Sequence, residues 1–149
     1  GTIFSHFNNR ELLISEVVKI ELMGIAKKLY KIKENPNSIE ELLYEYLCLV
    51  EKNECFLTVI SKEFSFLSNN IQREIITTES IVKKVFYNLI EQNINDRNLK
   101  NVNIQVAISF LFGTINYYLS RKEYFVLSGS VIKEKKEDIK NTFIIFLKR

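Results

Sequence analysis

The sequence predicts an all-α fold, a helical bundle of about six substantial helices, and three observations carry that expectation. Only four Gly and one Pro punctuate 149 residues, so few positions break a helix. Hydrophobic residues make up 46% of the chain, enough for a substantial core at single-domain size. Apolar side chains recur at three- and four-residue spacing in one segment after another, the period of a helix with one buried face.

Each element follows from its own signals. Asn9 is a candidate N-cap for a helix whose stripe of Leu13, Val17, Ile20, Met23 or Gly24, and the stems of Lys27 and Lys28 runs to about Lys33. Asn35-Pro36-Asn37 ends it, and Ser38 three residues before Glu41 forms a capping box for the next helix. That helix presents Ile39, Leu42, Leu43, Tyr46, Leu47 and Val50, and a break or bend is expected near Lys52-Asn53. Phe56, Val59, Ile60, Glu63 and Phe64 keep helical spacing up to Ser68-Asn69-Asn70, which reads as a loop or cap. A long helix follows with Ile71, Ile75, Val82, Val85, Phe86, Leu89 and Ile90, closed by the polar turn from Asn93 to Asn98. Residues 101 to about 121 form the next helix, and Ser128-Gly129-Ser130 introduces the last, from about Val131 to Leu147.

Composition excludes several function classes. A net charge of +3 from 21 basic and 18 acidic residues does not require a nucleic-acid partner. The lysines at 27, 28, 31 and 33, and those at 133, 135 and 136, read as solvated faces, the first group also complementing a helix C-terminus. Cys48 and Cys55 lie seven residues apart with no metal-site spacing around them, so they read as small buried hydrophobes of a reducing cytoplasm. The apolar run from Ile104 to Leu119 falls short of the roughly 20 residues needed to span a bilayer and carries Gln105, Ser109 and Asn116, so no membrane partner is expected. With His6 the single histidine and no glycine-rich phosphate loop or metal motif, neither an enzyme nor a cofactor is expected.

The helix around 104–119 is apolar on two faces. One carries Val106, Phe110, Gly113 and Tyr117; the other carries Ile108, Leu111 or Phe112, Ile115 and Leu119. The terminal helix repeats Ile132, Ile139 and Phe146 every seven residues, with Phe143 and Leu147 beside them. Two adjacent helices with surplus apolar surface suggest a four-helix interface between two copies. Ile108, Phe112, Ile115, Leu119, Ile139, Phe143 and Phe146 are the residues expected to form that homodimer contact.

The opening string Gly1-Thr2-Ile3-Phe4-Ser5-His6-Phe7-Asn8-Asn9-Arg10-Glu11-Leu12-Leu13 resembles the end of the recognition helix, and the start of the following helix, in the TetR/AcrR family of bacterial transcriptional regulators. The resemblance implies that Gly1, Thr2, Phe4, His6 and Arg10 belong to the DNA-contacting side of the intact parent, and that Phe7 anchors the recognition helix. Phe4 stands where the family more often has Tyr, which removes a hydroxyl that could reach a phosphate, and Arg10 stands where Lys is commoner. On this resemblance residues 1–9 are a remnant of a helix-turn-helix domain and 10–149 a ligand-binding and dimerisation domain. Without the first helix of the motif to brace the second, the chain by itself is expected to bind DNA poorly.

The resemblance further implies a pocket among the central helices for an unknown small hydrophobic or aromatic ligand, and an operator DNA as partner of the intact parent. Tyr46, Phe56, Phe64, Tyr87, Phe110 and Tyr117 could line such a pocket, with Cys55, Asn88 or Asn116 as polar contacts. Glu45 and Glu63 would suit a cationic ligand if they pointed inward. The alternative is a helical protein-protein interaction module whose apolar faces bind a partner.

Overall fold

A computed structural model describes the backbone of residues 2–33 and 38–149, and the side chains of 10–32 and 38–149. Among the described residues it holds six α-helices: α1 Thr2–Lys33, α2 Ile39–Lys52, α3 Glu54–Glu63, α4 Asn69–Asn95, α5 Ile104–Ser120 and α6 Val131–Leu147. Single 3₁₀ turns at Phe64–Phe66 and Lys122–Tyr124 follow α3 and α5.

Local chemistry accounts for most of the helix ends. Ser38 Oγ accepts from Glu41 N at 3.1 Å and Asn103 Oδ1 from Val106 N at 3.1 Å, while Ser68 and Ser130 cap α4 and α6 in the same way. Asn53 divides α2 from α3: its side chain donates back to Leu49 O at 2.8 Å, ending α2, while its own carbonyl accepts from Leu57 N at 2.9 Å and starts α3. The helix therefore breaks between the two cysteines, leaving Cys48 half-buried on α2 and Cys55 exposed on α3, both free thiols. The expectation of two buried cysteines fails at Cys55.

The polar turn after α4 is a Schellman motif. Arg97 N donates to Ile94 O and Asn98 N to Asn93 O, both at 2.9 Å, with Arg97 in the left-handed region at φ 62°. A β-carbon at that φ is strained, so Arg97→Gly should raise stability by about 0.5–1 kcal/mol. A rise in the urea midpoint at constant m checks it; an unchanged or lower midpoint shows that the guanidinium or its stem compensates.

One large cluster fills the bundle between the second half of α1 and helices α2, α4, α5 and α6. The stripes expected on α2 and α4 are the buried ones, apart from Leu89, which is half-buried. A smaller cluster joins Val18 and Leu22 of α1 to Ile71 and Ile75 of α4, with α3 side chains packed against it. Lys136 of α6 reaches Glu51 of α2 at 2.8 Å, and Lys100 N bonds Leu147 O at 2.9 Å, which ties the α4–α5 connection to the end of α6.

Three expectations are corrected by this packing. First, α1 runs unbroken through Asn8 and Asn9, so no helix boundary falls at Asn9. Second, the buried stripe of α1 is Val18, Leu22, Ile25, Ala26 and Leu29, and Leu13, Val17 and Ile20 face outward. α1 is apolar on both faces, and only the fit to α4 selects one. Third, Ile108, Phe112, Ile115 and Leu119 of α5 and Ile139 and Phe143 of α6 are buried inside this single chain, where α5 packs against α3, α4 and α6, and α6 against α2. They are closed to a second copy. Of the expected interface only Phe146 is exposed, and the outward face of α5 is the one bearing Val106, Phe110 and Tyr117.

Candidate functional site

Five helices enclose a cavity of about 580 Å³, a size ordinary for small-molecule sites. It lies where the two clusters meet: Leu22 and Ile75 of the smaller one and Ile25, Val82 and Phe112 of the larger one face the same space. Its deep wall is apolar. Most of its polar groups are exposed or half-exposed and sit toward the mouth, with Ser61 and Ser65 from the α3 side, Glu79 and Lys83 from α4, and Ser109 and Asn116 from α5; Thr78 of α4 is buried, its hydroxyl turned to the Met23 sulfur at 4.0 Å.

Tyr46, from α2, is the buried polar group of the cavity whose hydroxyl the protein leaves unpaired. Its ring is held by Phe86 of α4, edge-on at 5.3 Å between centroids, and by Phe112 of α5 at 5.5 Å; those two rings meet each other at 6.0 Å. The trio fixes where the Tyr46 side chain points. Tyr46 lines the cavity and is only 8% exposed, yet its hydroxyl has no hydrogen-bond partner among the described residues. The hydroxyl is not sealed in the core either, since the one buried side-chain polar atom there without a partner is Thr58 Oγ1. The hydroxyl is open to the cavity and unpaired by the protein, so its hydrogen bond is left to whatever fills that space.

Burial, and after it the nearby Glu79 carboxylate, push the Tyr46 hydroxyl above its ordinary pKa of 10.0. In the unfolded chain the phenol ionises near 10, whereas the folded state keeps it protonated. The stabilising difference is therefore intact below about pH 10 and is lost as the pH rises above it, by about 1.4 kcal/mol per pH unit. Urea midpoints compared between about pH 9 and pH 11 should fall more steeply for the native chain than for Tyr46→Phe. Parallel curves would mean that the hydroxyl titrates normally.

Glu79 and Lys83 stand one turn apart on α4, with Lys83 Nζ 3.6 Å from Glu79 Oε2 and 5.2 Å from the centre of the Phe112 ring. The acid thus has a base beside it, and the base has both the acid and a ring face. Asn116, Ser109 and the serines of the α3 side add neutral donors and acceptors.

Of the residues expected to line a pocket, the structure brings Tyr46 and Phe64 to the cavity, with Asn116 as a polar contact. Phe56 is half-buried in the smaller cluster, Tyr87 is half-buried at the edge of the larger one, and Cys55 and Asn88 are exposed. Phe110 and Tyr117 are 58% and 47% exposed on the outer face of α5, where they line an open surface depression and not this cavity. Neither Glu45 nor Glu63 reaches the cavity. Glu79 does, and it was missed although it left a trace in sequence: it falls between Ile75 and Val82, a charge interrupting a stripe that is otherwise buried.

Of the DNA-side residues, Gly1 and the side chains of Thr2, Phe4 and His6 lie outside the described residues, and Arg10 is exposed on α1. Among the described residues no three His, Cys, Asp or Glu side chains gather where they could hold a metal ion, and no helix is long and apolar enough to cross a membrane. No protein-family model, curated protein or solved structure matches the chain.

Proposed function

We propose that this chain is the sensing part of a ligand-responsive transcriptional regulator of the TetR/AcrR type, acting as a repressor. The observation that carries the reading is the cavity together with its connection to α1. Leu22 and Ile25 of α1 form part of its wall, and α1 continues from there to Thr2 without interruption. Twenty residues of α-helix separate Leu22 from Thr2, a lever of about 30 Å. A ligand that tilts α1 by about 5° at the cavity shifts the far end, which carries the string resembling a recognition helix, by two to three ångströms. Paired reading heads on DNA must sit about 34–36 Å apart, so a displacement of that order weakens the fit. The ligand must prefer the tilted state: tenfold weaker DNA binding needs about 1.4 kcal/mol of preference.

A regulator of this kind works as a pair. The exposed apolar face of α5, with Phe110 resting 6.1 Å from Phe146 of α6, supports a homodimer formed through that face instead of the buried one. Sedimentation should give twice the chain mass, and Phe110→Glu should return it to one. A native chain that sediments as a monomer removes this part of the reading.

The function itself is tested with the product of the complete reading frame and duplex DNA flanking its gene. Salt-dependent binding to a palindrome, relieved by a molecule that occupies the cavity, supports the proposal. Absence of binding, or binding indifferent to sequence, overturns it.

The second reading, a helical interaction module, draws on the same exposed side chains and on Leu12, Leu13 and Ile20 of α1. It predicts a protein partner and no effect of cavity-blocking substitutions on function.

A further inference from the structure

We propose that the cavity takes an uncharged, largely apolar small molecule bearing one hydrogen-bond-accepting oxygen, such as a ketone, ester or amide carbonyl, which seats on the hydroxyl of Tyr46. The inference rests on the reading of this cavity as a ligand pocket and gives it a chemical class.

Three features select that class. The first is the partnerless hydroxyl: Tyr46 lies more than nine-tenths buried against the cavity, and its ring cannot turn away because Phe86 and Phe112 hold it. A phenol kept in its neutral form can donate, and the hydrogen-bond partner that the protein does not supply is an acceptor brought by the occupant.

The second is charge. The ionisable residues on the cavity wall other than Tyr46 are Glu79 and Lys83, one of each sign, already beside each other at 3.6 Å. A ligand carboxylate would have to take Lys83 from both Glu79 and the Phe112 ring, and a ligand cation would have to take Glu79 from Lys83. Both side chains are more than a third exposed, so an ionic group would gain little from either screened charge while losing its own hydration against the apolar wall. An uncharged molecule disturbs neither.

The third is the distribution of polarity. Leu22, Ile25, Ile75, Val82 and Ile115 make the deep wall mainly apolar, and Thr78 among them already has the Met23 sulfur at 4.0 Å, so the body of the occupant is apolar, while the serines and Asn116 at the mouth accept a second polar group without requiring one.

The experiment uses the whole chain and three fluorescent probes of similar ring size: Nile red, which is uncharged and carries a ring carbonyl; anilinonaphthalene sulfonate, an anion; and rhodamine 6G, a cation. Nile red should bind saturably at one molecule per chain with a blue-shifted emission, and each charged dye at least about tenfold more weakly. Tyr46→Phe, which keeps the ring and removes only the unpartnered hydroxyl, should fold at least as stably as the native chain and bind Nile red about two- to tenfold more weakly. Ser109→Trp, at an exposed position of the mouth, should abolish binding by filling the entrance.

Equal Nile red affinity in Tyr46→Phe overturns the seat on the hydroxyl. A charged dye that binds as tightly as Nile red and is blocked by Ser109→Trp overturns the uncharged class but leaves the pocket standing. If no dye binds saturably, or Ser109→Trp changes nothing, the pocket reading falls as well.

Discussion

Phe86→Ala is expected to lower the free energy of unfolding by about 3–5 kcal/mol. Phe86 is fully buried on α4 and makes edge contacts to Tyr46 and Phe112, so one ring couples three helices. Removing it forfeits the transfer energy of the ring, two aromatic contacts and the packing of the residues that cannot collapse into the space. The wall of the cavity also rests on this trio, so the same substitution should loosen the position of Tyr46 and weaken Nile red binding. Urea unfolding of the variant against the native chain measures the first effect. A loss under about 1 kcal/mol would mean that the three rings do not form the tight contact described.

Glu54→Ala is expected to cost about 2–3 kcal/mol, since it leaves the buried Val131 amide without an acceptor and removes the carboxylate from the half-exposed Ser130 hydroxyl and Lys122 ammonium. Glu54 is the first residue of α3 and one of two buried polar or charged side chains among the described residues. One carboxylate oxygen accepts from Val131 N at 2.8 Å, the other from the hydroxyl of Ser130, and Lys122 Nζ stands 3.7 Å away. Its charge lies at the N-terminus of α6, where free amides favour an anion, and it belongs to the N-terminus of α3 as well. Lys62 pairs with Glu123 next to this site, giving α3 a second tie to the segment between α5 and α6. Glu54→Gln keeps an acceptor and loses the charge, so its cost should fall between the native chain and the alanine variant, at about 1–2 kcal/mol. Because Glu54 is buried and most of its bonds go to the backbone amide and hydroxyl at the start of α6, the loss should change little with added salt. An alanine variant within about 0.5 kcal/mol of the native chain would show that the latch contributes nothing.

The amount legible in sequence differs sharply between elements. Helices α2 and α4 were readable down to individual residues because each has one apolar stripe and a polar remainder, so periodicity leaves a single orientation open. Helices α1 and α5 were readable as helices but not as oriented helices. Each is apolar around much of its circumference, and both orientations satisfy the pattern. The choice between Ile108 and Phe110 as the inward residue depends on what α5 meets, and it meets α3, α4 and α6 at once. Reading the wrong face outward exchanged two expectations together: the expected interface became core, and the expected pocket residues Phe110 and Tyr117 became surface.

The cavity was less legible still. Tyr46 and Phe64 were among the aromatics that could line it, but nothing in the order of residues says that Tyr46 finds no partner for its hydroxyl, because that depends on atoms from four other helices. Ser61, Ser65 and Ser109 are ordinary polar positions on their own helices and become mouth residues only when those helices converge. Asn9 was readable as the N-cap of a new helix, yet the backbone there continues as helix and makes α1 one lever.

By itself the sequence determined that this chain is helical, where most of its helices begin and end, and which side of the simply patterned ones is buried. Those properties follow from short-range terms: few breakers, caps within three residues of the amides they satisfy, and a 3.6-residue period of side-chain hydrophobicity. The tertiary structure alone decided which face of α1 and α5 looks inward, that an unpartnered phenol faces a cavity, and that Glu54 closes the start of a helix 77 residues further on. These outcomes depend on packing and charge compensation between segments far apart in the chain, and such energies exist only once the segments have met.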